Sequence, residues 1–377
     1  MRKNASRLAA AAGLALVLAA CTGDPNAEVA ASPSAAAPPP TSRATSTPGG
    51  VPDLGAGEEV ARGIEVPWGL AFLPDGDALV AERDSGRVLQ VPARGGRARE
   101  VYRVPDVAAG GEGGLLGLAV SPDYATDRYV YAYLTTESDN RIVRFRLDDD
   151  TPEVLFDGIA NASFHNGGRI AFGPDGMLYA GTGDAGEGDS SQDPDGPNGK
   201  ILRLTPEGDP APGNPTPGSP VYSLGHRNVQ GLAWDGRGRL FATEFGQNRL
   251  DEVNLIEPGR NYGWPEVEGT GDTRGGRFTN PLVTWSTSEA SPSGAAIAGD
   301  TLYVAALRGE RLWTVPLRDG RTGEPRAELA DRYGRLRTVA VAPDGALWLT
   351  TSNTDGRGDV RDGDDRILRY PAGPGAG

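Results

Sequence analysis

From Gly69 onward the chain repeats one alternation of apolar and polar positions. Each copy holds a short apolar run, an Asp-Gly or Pro-Asp-Gly turn, a second apolar run, a loop, and a third run mixing apolar and basic residues. Short runs bounded by Gly, Pro and Asp predict strands. The copies are GLAFLPDGDALVAERDSGRVLQV from Gly69, GLAVSPDYATDRYVYAYLTTESDNRIVRFRL from Gly117, and RIAFGPDGMLYAGTGD from Arg169, whose third strand waits until GKILRL. GLAWDGRGRLFATEFGQNRLDEVNLI follows from Gly231, AAIAGDTLYVAALRGERLWTVPL from Ala295, and TVAVAPDGALWLTTSNTDG from Thr338, closing with RILRY. Six copies at intervals of roughly 45 to 65 residues have the period of propeller blades. The Asp-Gly pairs have a local cause: tight turns between twisted strands need positive φ, which Gly supplies and Asp tolerates. EEVARGIEV, ahead of the first copy, is placed to give the last blade its outer strand and close the ring. An open sandwich array would alternate similarly, but the regular period favours an all-β, six-bladed β-propeller over residues 51–377.

The N-terminal residues break this pattern. Residues 1–20 carry Arg2, Lys3 and Arg7 ahead of an apolar stretch too short to span a bilayer, which predicts an export signal. Leu18-Ala19-Ala20-Cys21 resembles the lipobox of bacterial lipoproteins, with Cys21 as the lipidated N-terminus; plain secretion with an incidental cysteine is the alternative. Cys21 is the only cysteine, so no internal disulfide is available. Residues 21–50, rich in Pro, Ala, Ser and Thr, cannot bury enough surface to order themselves and predict a flexible tether. These features place the protein outside the cytoplasm, held to the outer face of the membrane by lipid alone. The formal net charge of −14 argues against nucleic acid, whose binding needs clustered Lys and Arg.

In a propeller, the segments leading into the innermost strands gather at one mouth of the central channel. Here those segments are GEGGLLG (111–117), HNGGR (165–169), YSLGHRNVQG (222–231), SPSG (291–294) and GRLR (334–337). They bring an acid, a histidine, an asparagine and several arginines to one axis. His165, one of two histidines, is either a hydrogen-bonded structural residue or a base. Asp184, at the end of GTGD, is the carboxylate expected to orient it. Arg227, Arg335 and Arg337 are costly to gather without an anion, and their forks suit carboxylates. His226 reads as a loop-fixing residue. The acidic stretches 183–200 and 355–365 read as solvated loops, since neither has EF-hand spacing.

From about Val60 to Tyr370 the motifs resemble the soluble quinoprotein glucose and sorbosone dehydrogenases, especially the bacterial aldose sugar dehydrogenases. They are PWGLAFLPDG, GEGGLLGLAVSPDY, HNGGRIAFGPDGMLYAGTGD, NGKILRL, GHRNVQGLAWD, TEFGQNRLDEVNLIEPGRNYGWP and RLRTVAVAPDG, in that order. The resemblance implies a six-bladed propeller carrying pyrroloquinoline quinone (PQQ) and Ca²⁺, which oxidises aldoses at C1 to the lactone and passes electrons to an external acceptor such as a quinone. It implies His165 as the base, supported by Asp184, with PQQ held by Arg227, Asn228, Arg308, Arg335, Arg337 and Ser293. The carbonyls of Gly246 and Gln247 would bind the calcium beside PQQ, and Glu252 with the Tyr262 carbonyl a structural one. Glu112 stands where the family has a substrate-contacting glutamine. Insertions that shape the glucose enzyme's pocket and dimer are absent, so a preference for glucose is not implied; a monomer is expected. Two other readings stay open: a calcium-dependent propeller lactonase, disfavoured by the arginines, and a non-catalytic sugar-binding lipoprotein, disfavoured by the joint presence of His165, Asp184, Arg227 and Asn228.

Overall fold

The computed structural model describes residues 50–318 and 321–373. The export signal, Cys21 and all but the last residue of the predicted tether lie outside the described residues. Six antiparallel sheets account for nearly all regular structure, as the repeat predicts. Their innermost strands are Pro67–Phe72, Leu115–Val120, Ile170–Phe172, Val229–Trp234, Pro292–Ala298 and Leu336–Val341. Each blade then runs outward through successive hairpins in chain order. In the Pro-Asp-Gly turns, Asp75, Asp175 and Asp344 each accept the backbone N–H two residues on, the local bond that makes Asp a turn residue.

The last blade takes its outer strand from the start of the domain: Glu58–Arg62 pairs antiparallel with Arg366–Tyr370. The expected closure by EEVARGIEV is therefore found. The cores lie between neighbouring blades. Leu79, Val88 and Tyr102 of the first blade pack against Leu118, Val130 and Phe145 of the second, with the Tyr102 and Phe145 rings stacked at 4.1 Å. Near the axis the innermost strands almost touch. A Cβ on Gly117 would stand 2.3 Å from the Gly168 carbonyl oxygen, so only glycine fits there.

Because the strands alternate in direction, three kinds of backbone segment share one end of the ring: the start of each innermost strand, the end of the second, and the start of the third. The loop after the second strand therefore joins the segments already expected at the mouth. This adds Asp184, Gly246, Gln247, Arg308 and Asp355 to the polar residues there.

Ring closure gives a test. Val60 is buried with Ile64, Leu89 and Trp348 at the junction of the first and last blades. Val60→Asp should cost about 3 kcal/mol or more through an unpaired buried carboxylate, lowering Tm by roughly 6–12 °C in thermal unfolding. The same change at Val154, 47% exposed on an outer strand, should shift Tm little.

Candidate active site

His165 sits on the approach to the third blade with φ 58°, a left-handed conformation unusual for a non-glycine residue. Its neighbours impose it. The His165 carbonyl approaches Gly183 so closely that a Cβ there would stand 1.7 Å from the oxygen, and the His165 N–H donates to Glu112 Oε2 at 3.0 Å. The ring's Nδ1 lies 2.7 Å from Asp184 Oδ1, with the His165 side chain 12% exposed and Asp184 2%. Asp184 also accepts the Trp264 indole N–H at 2.7 Å and the Gly186 N–H at 2.8 Å. Burial pushes its carboxyl up, but these donors and His165 outweigh it and hold it below the usual aspartate range. An ionised Asp184 that accepts from Nδ1–H leaves the Nε2 lone pair free.

Asn228 joins this group from the next blade. Its Oδ1 accepts the Gly167 N–H at 2.9 Å, and its amide donates to Glu112 Oε2 at 3.4 Å. His226, fully buried, is bonded to Ser223 Oγ and Glu244 Oε1 and stacked on Tyr262. Its two ring nitrogens are both engaged, in keeping with a loop-fixing role.

A second group surrounds the arginines. Arg335 donates twice to Asp355 Oδ2, at 2.9 and 3.1 Å, and Arg337 stands 3.5 Å from the same oxygen while donating to Gln230 Oε1 at 3.0 Å. Arg169 lies over Trp68 and donates to the Gln230 carbonyl and to Thr338. Burial pulls Arg169 and Arg337 down to about 9, so both remain cations at neutral pH, poorly solvated ones. Arg227 is lowered by burial too. Its Nε, like that of Arg337, is buried without a partner. One buried carboxylate thus serves two guanidiniums, and two orphaned donors remain. That is the chemistry of a site shaped for a ligand with several negative charges, and PQQ, a planar quinone bearing carboxylates, fits it.

The loop expected to hold calcium also fits. The N–H groups of Gln247, Asn248, Arg249 and Leu250 all converge on Glu268 Oε1 at 2.8–3.2 Å. In a planar trans peptide the carbonyl points opposite its N–H, so the Gly246 and Gln247 oxygens both face away from Glu268. The Gly246 oxygen accepts from Arg227 at 2.7 Å, which demonstrates its appeal to a cation. Among the described residues no cluster of three or more His, Cys, Asp or Glu has metal-holding geometry, so a metal here depends on carbonyls. At the second expected calcium position, burial and the nearby Glu244 push the Glu252 carboxyl well above its usual range. Its oxygens accept from Asn254 and the Gly269 N–H, while Asn254 Oδ1 is an orphaned buried acceptor. Tyr262 is buried beside this group through its ring on His226. These oxygens suit a hard cation.

Some expectations need correction. The 355–365 stretch is not simply solvated: Asp355 and Asp365 are buried and multiply bonded. Within 183–200, Ser191, Asn198 and Lys200 are buried, and Lys200 Nζ donates to three carbonyls. Ser293 is buried on its strand with its hydroxyl donating to Gln230, so its contact is internal. Arg308 is exposed in the turn after its blade's second strand. Asp355, Gln230, Trp264 and Arg357 belong to the site although nothing in the residue pattern singles them out.

The fold and site define a propeller whose mouth sets a carboxylate-oriented histidine beside desolvated guanidiniums. The model of the glucose/sorbosone dehydrogenase family matches residues 64–368, and the chain belongs to that family. A PQQ-bound aldose sugar dehydrogenase from Streptomyces coelicolor superposes with a TM-score of 0.81 at 56% identity, over 85% of this chain and 99% of that one. Aldose sugar dehydrogenase YliI of Escherichia coli K12 is 30% identical over 78% of this chain and 89% of its own length. Quinoprotein glucose dehydrogenase B of Acinetobacter calcoaceticus is 33% identical over 58% of this chain; the match spans about half, 54%, of that relative.

The arginine cluster predicts the effect of losing its anion. Asp355 is 2% exposed, so Asp355→Asn should leave Arg335 and Arg337 uncompensated and destabilise the protein by about 3–5 kcal/mol in denaturant unfolding. Asp359→Asn, at an exposed position four residues on, should be near neutral.

Proposed function

We propose that the protein is a PQQ- and Ca²⁺-dependent aldose sugar dehydrogenase that oxidises the C1 hydroxyl of aldoses to the lactone. The observation that carries this reading is the pairing, at one mouth, of the His165–Asp184 dyad with Arg227 and Arg337, whose buried Nε donors have no partner. PQQ would supply the two-electron acceptor, with calcium at the Gly246 and Gln247 carbonyls polarising it. The chain's residues do the rest. Arg227, Asn228, Arg335 and Arg337 would bind and orient the cofactor, with Ser293 supporting through Gln230 and Arg308 at the rim. His165 Nε2 would take the C1 hydroxyl proton as C1 gives up its hydride, and Asp184 would stabilise the imidazolium so formed. Glu252 and the Tyr262 carbonyl would hold a structural Ca²⁺. Electrons would leave to an external acceptor, and the protein would act as a monomer.

A lactonase would use a metal and an activated water and has no use for several buried guanidiniums around an anion-sized slot. The deciding experiment adds PQQ and Ca²⁺ to purified apo-protein and follows dye reduction with a panel of aldoses. Lactone hydrolysis without aldose oxidation would favour the rival.

His165→Gln should retain PQQ yet lower kcat by about 10²-fold or more, the scale of a lost general base. Arg227→Ala should instead weaken PQQ binding by about 10- to 100-fold, one charge-assisted contact, read by fluorescence titration.

We also propose that the mature protein is anchored through lipid on Cys21 outside the cytoplasmic membrane. Cys21→Ser should move it to the soluble or secreted fraction with unchanged specific activity; a variant that stays in the membrane fraction overturns the anchor.

A further inference from the structure

The dyad has a third support that reaches it from the far side of the ring. Glu112 precedes the second blade's inner strand, and its two carboxylate oxygens divide their work. Oε2 accepts the His165 N–H at 3.0 Å and the Asn228 amide at 3.4 Å, and Oε1 accepts Arg357 Nη1 at 3.0 Å. The partners are far apart in sequence and meet only because the last blade closes the ring. Arg357 is 56% exposed and Glu112 15%, so the guanidinium covers the carboxylate from the solvent side. The Arg357 N–H in turn donates to Asp355 Oδ1 at 2.9 Å, the carboxylate that holds Arg335 and Arg337. One short segment therefore touches both halves of the site.

His165 needs such support because its left-handed backbone is not self-sustaining. A non-glycine residue held there is strained and persists only when its surroundings over-determine it. Its N–H has one acceptor, Glu112, while its carbonyl is packed on Gly183. If Glu112 swings away, the backbone loses that acceptor and the ring is held only by its bond to Asp184. Burial pushes the Glu112 carboxyl up, but the His165 N–H and Arg357 outweigh it and keep it below the usual glutamate range.

We propose that Arg357 is a positioning residue: by clamping Glu112 from across the mouth, it fixes the backbone of His165 and hence the aim of its Nε2 at the sugar. Glu112, where the family has a substrate-contacting glutamine, then acts on the reaction mainly through His165 and Asn228. This rests on the dehydrogenase reading for its catalytic consequence, but the clamp itself is testable without it.

The chain's two histidines make the test direct. Selective ¹⁵N-histidine labelling of the apo-protein gives two backbone amide signals, His165 bonded to Glu112 and His226 bonded to the Gly199 carbonyl. In Arg357→Ala the His165 amide should exchange with solvent about tenfold faster or more, with His226 unchanged as the internal control. In the PQQ- and Ca²⁺-loaded protein, kcat should fall about tenfold with KM altered less than about twofold, since misaim of a base is felt in the chemical step. Arg357→Lys, which keeps the charge, should recover most of both effects. Unchanged His165 exchange in Arg357→Ala overturns the clamp. A loss confined to KM, with kcat intact, overturns the positioning role and makes Arg357 a sugar contact. If the wild-type loaded protein oxidises no aldose, the dehydrogenase reading fails, while the amide exchange still decides whether the clamp exists.

Discussion

The join between Glu58–Arg62 and Arg366–Tyr370 is the contact on which the rest of the molecule depends. Five blades would form an arc with two exposed edges; the sixth, made from both ends of the domain, turns it into a ring. The exposed ion pairs along the join, Arg369–Glu58 and Arg366–Glu59, add little in water. Burial of Val60, Ala61, Ile64 and Trp348 at the first and last blades supplies the attraction. Closure also has a chemical consequence, because it alone sets the Asp355–Arg357 segment opposite Glu112 and the third blade's histidine.

Charge is distributed against the overall balance. The chain is acidic, with a formal net charge of −14, yet its mouth concentrates buried guanidiniums. Such groups are tolerated only if their donors are met. Asp355, the Gln230 side chain and carbonyl, and the face of Trp68 meet most of them; the Nε atoms of Arg227 and Arg337 have no partner. The acidic overall balance and the guanidiniums gathered at the mouth together favour a small anionic ligand over a polyanion.

Rigidity in this site comes from backbone as much as from side chains. His165 is held left-handed, Gly183 is forced to remain glycine by the His165 carbonyl, and four successive N–H groups on one Glu268 oxygen turn two carbonyls the other way. Each device fixes the direction of a side chain or a carbonyl through the backbone around it.

The blade count, the turns, the closing strand and the mouth's first-ranked residues were legible in the sequence, because strand period and Asp-Gly turns are local and a propeller's topology maps local position onto one end of a channel. That mapping took His165, Arg227, Asn228, Arg335 and Arg337 to the mouth without reference to contacts, with Asp184 expected only as the partner of His165. The sequence could not disclose that Asp355 is the anion shared by two arginines, that Gln230 turns its amide oxygen to Arg337 and Ser293, or that Arg357 reaches Glu112. An aspartate among Gly, Arg and Asp residues looks solvated, and only the return of the chain within the blade sets it against Arg335 and Arg337. Partners separated by 245 residues, like Glu112 and Arg357, leave no periodic trace. Their meeting is decided by ring closure, a property of the whole chain and of no segment in it.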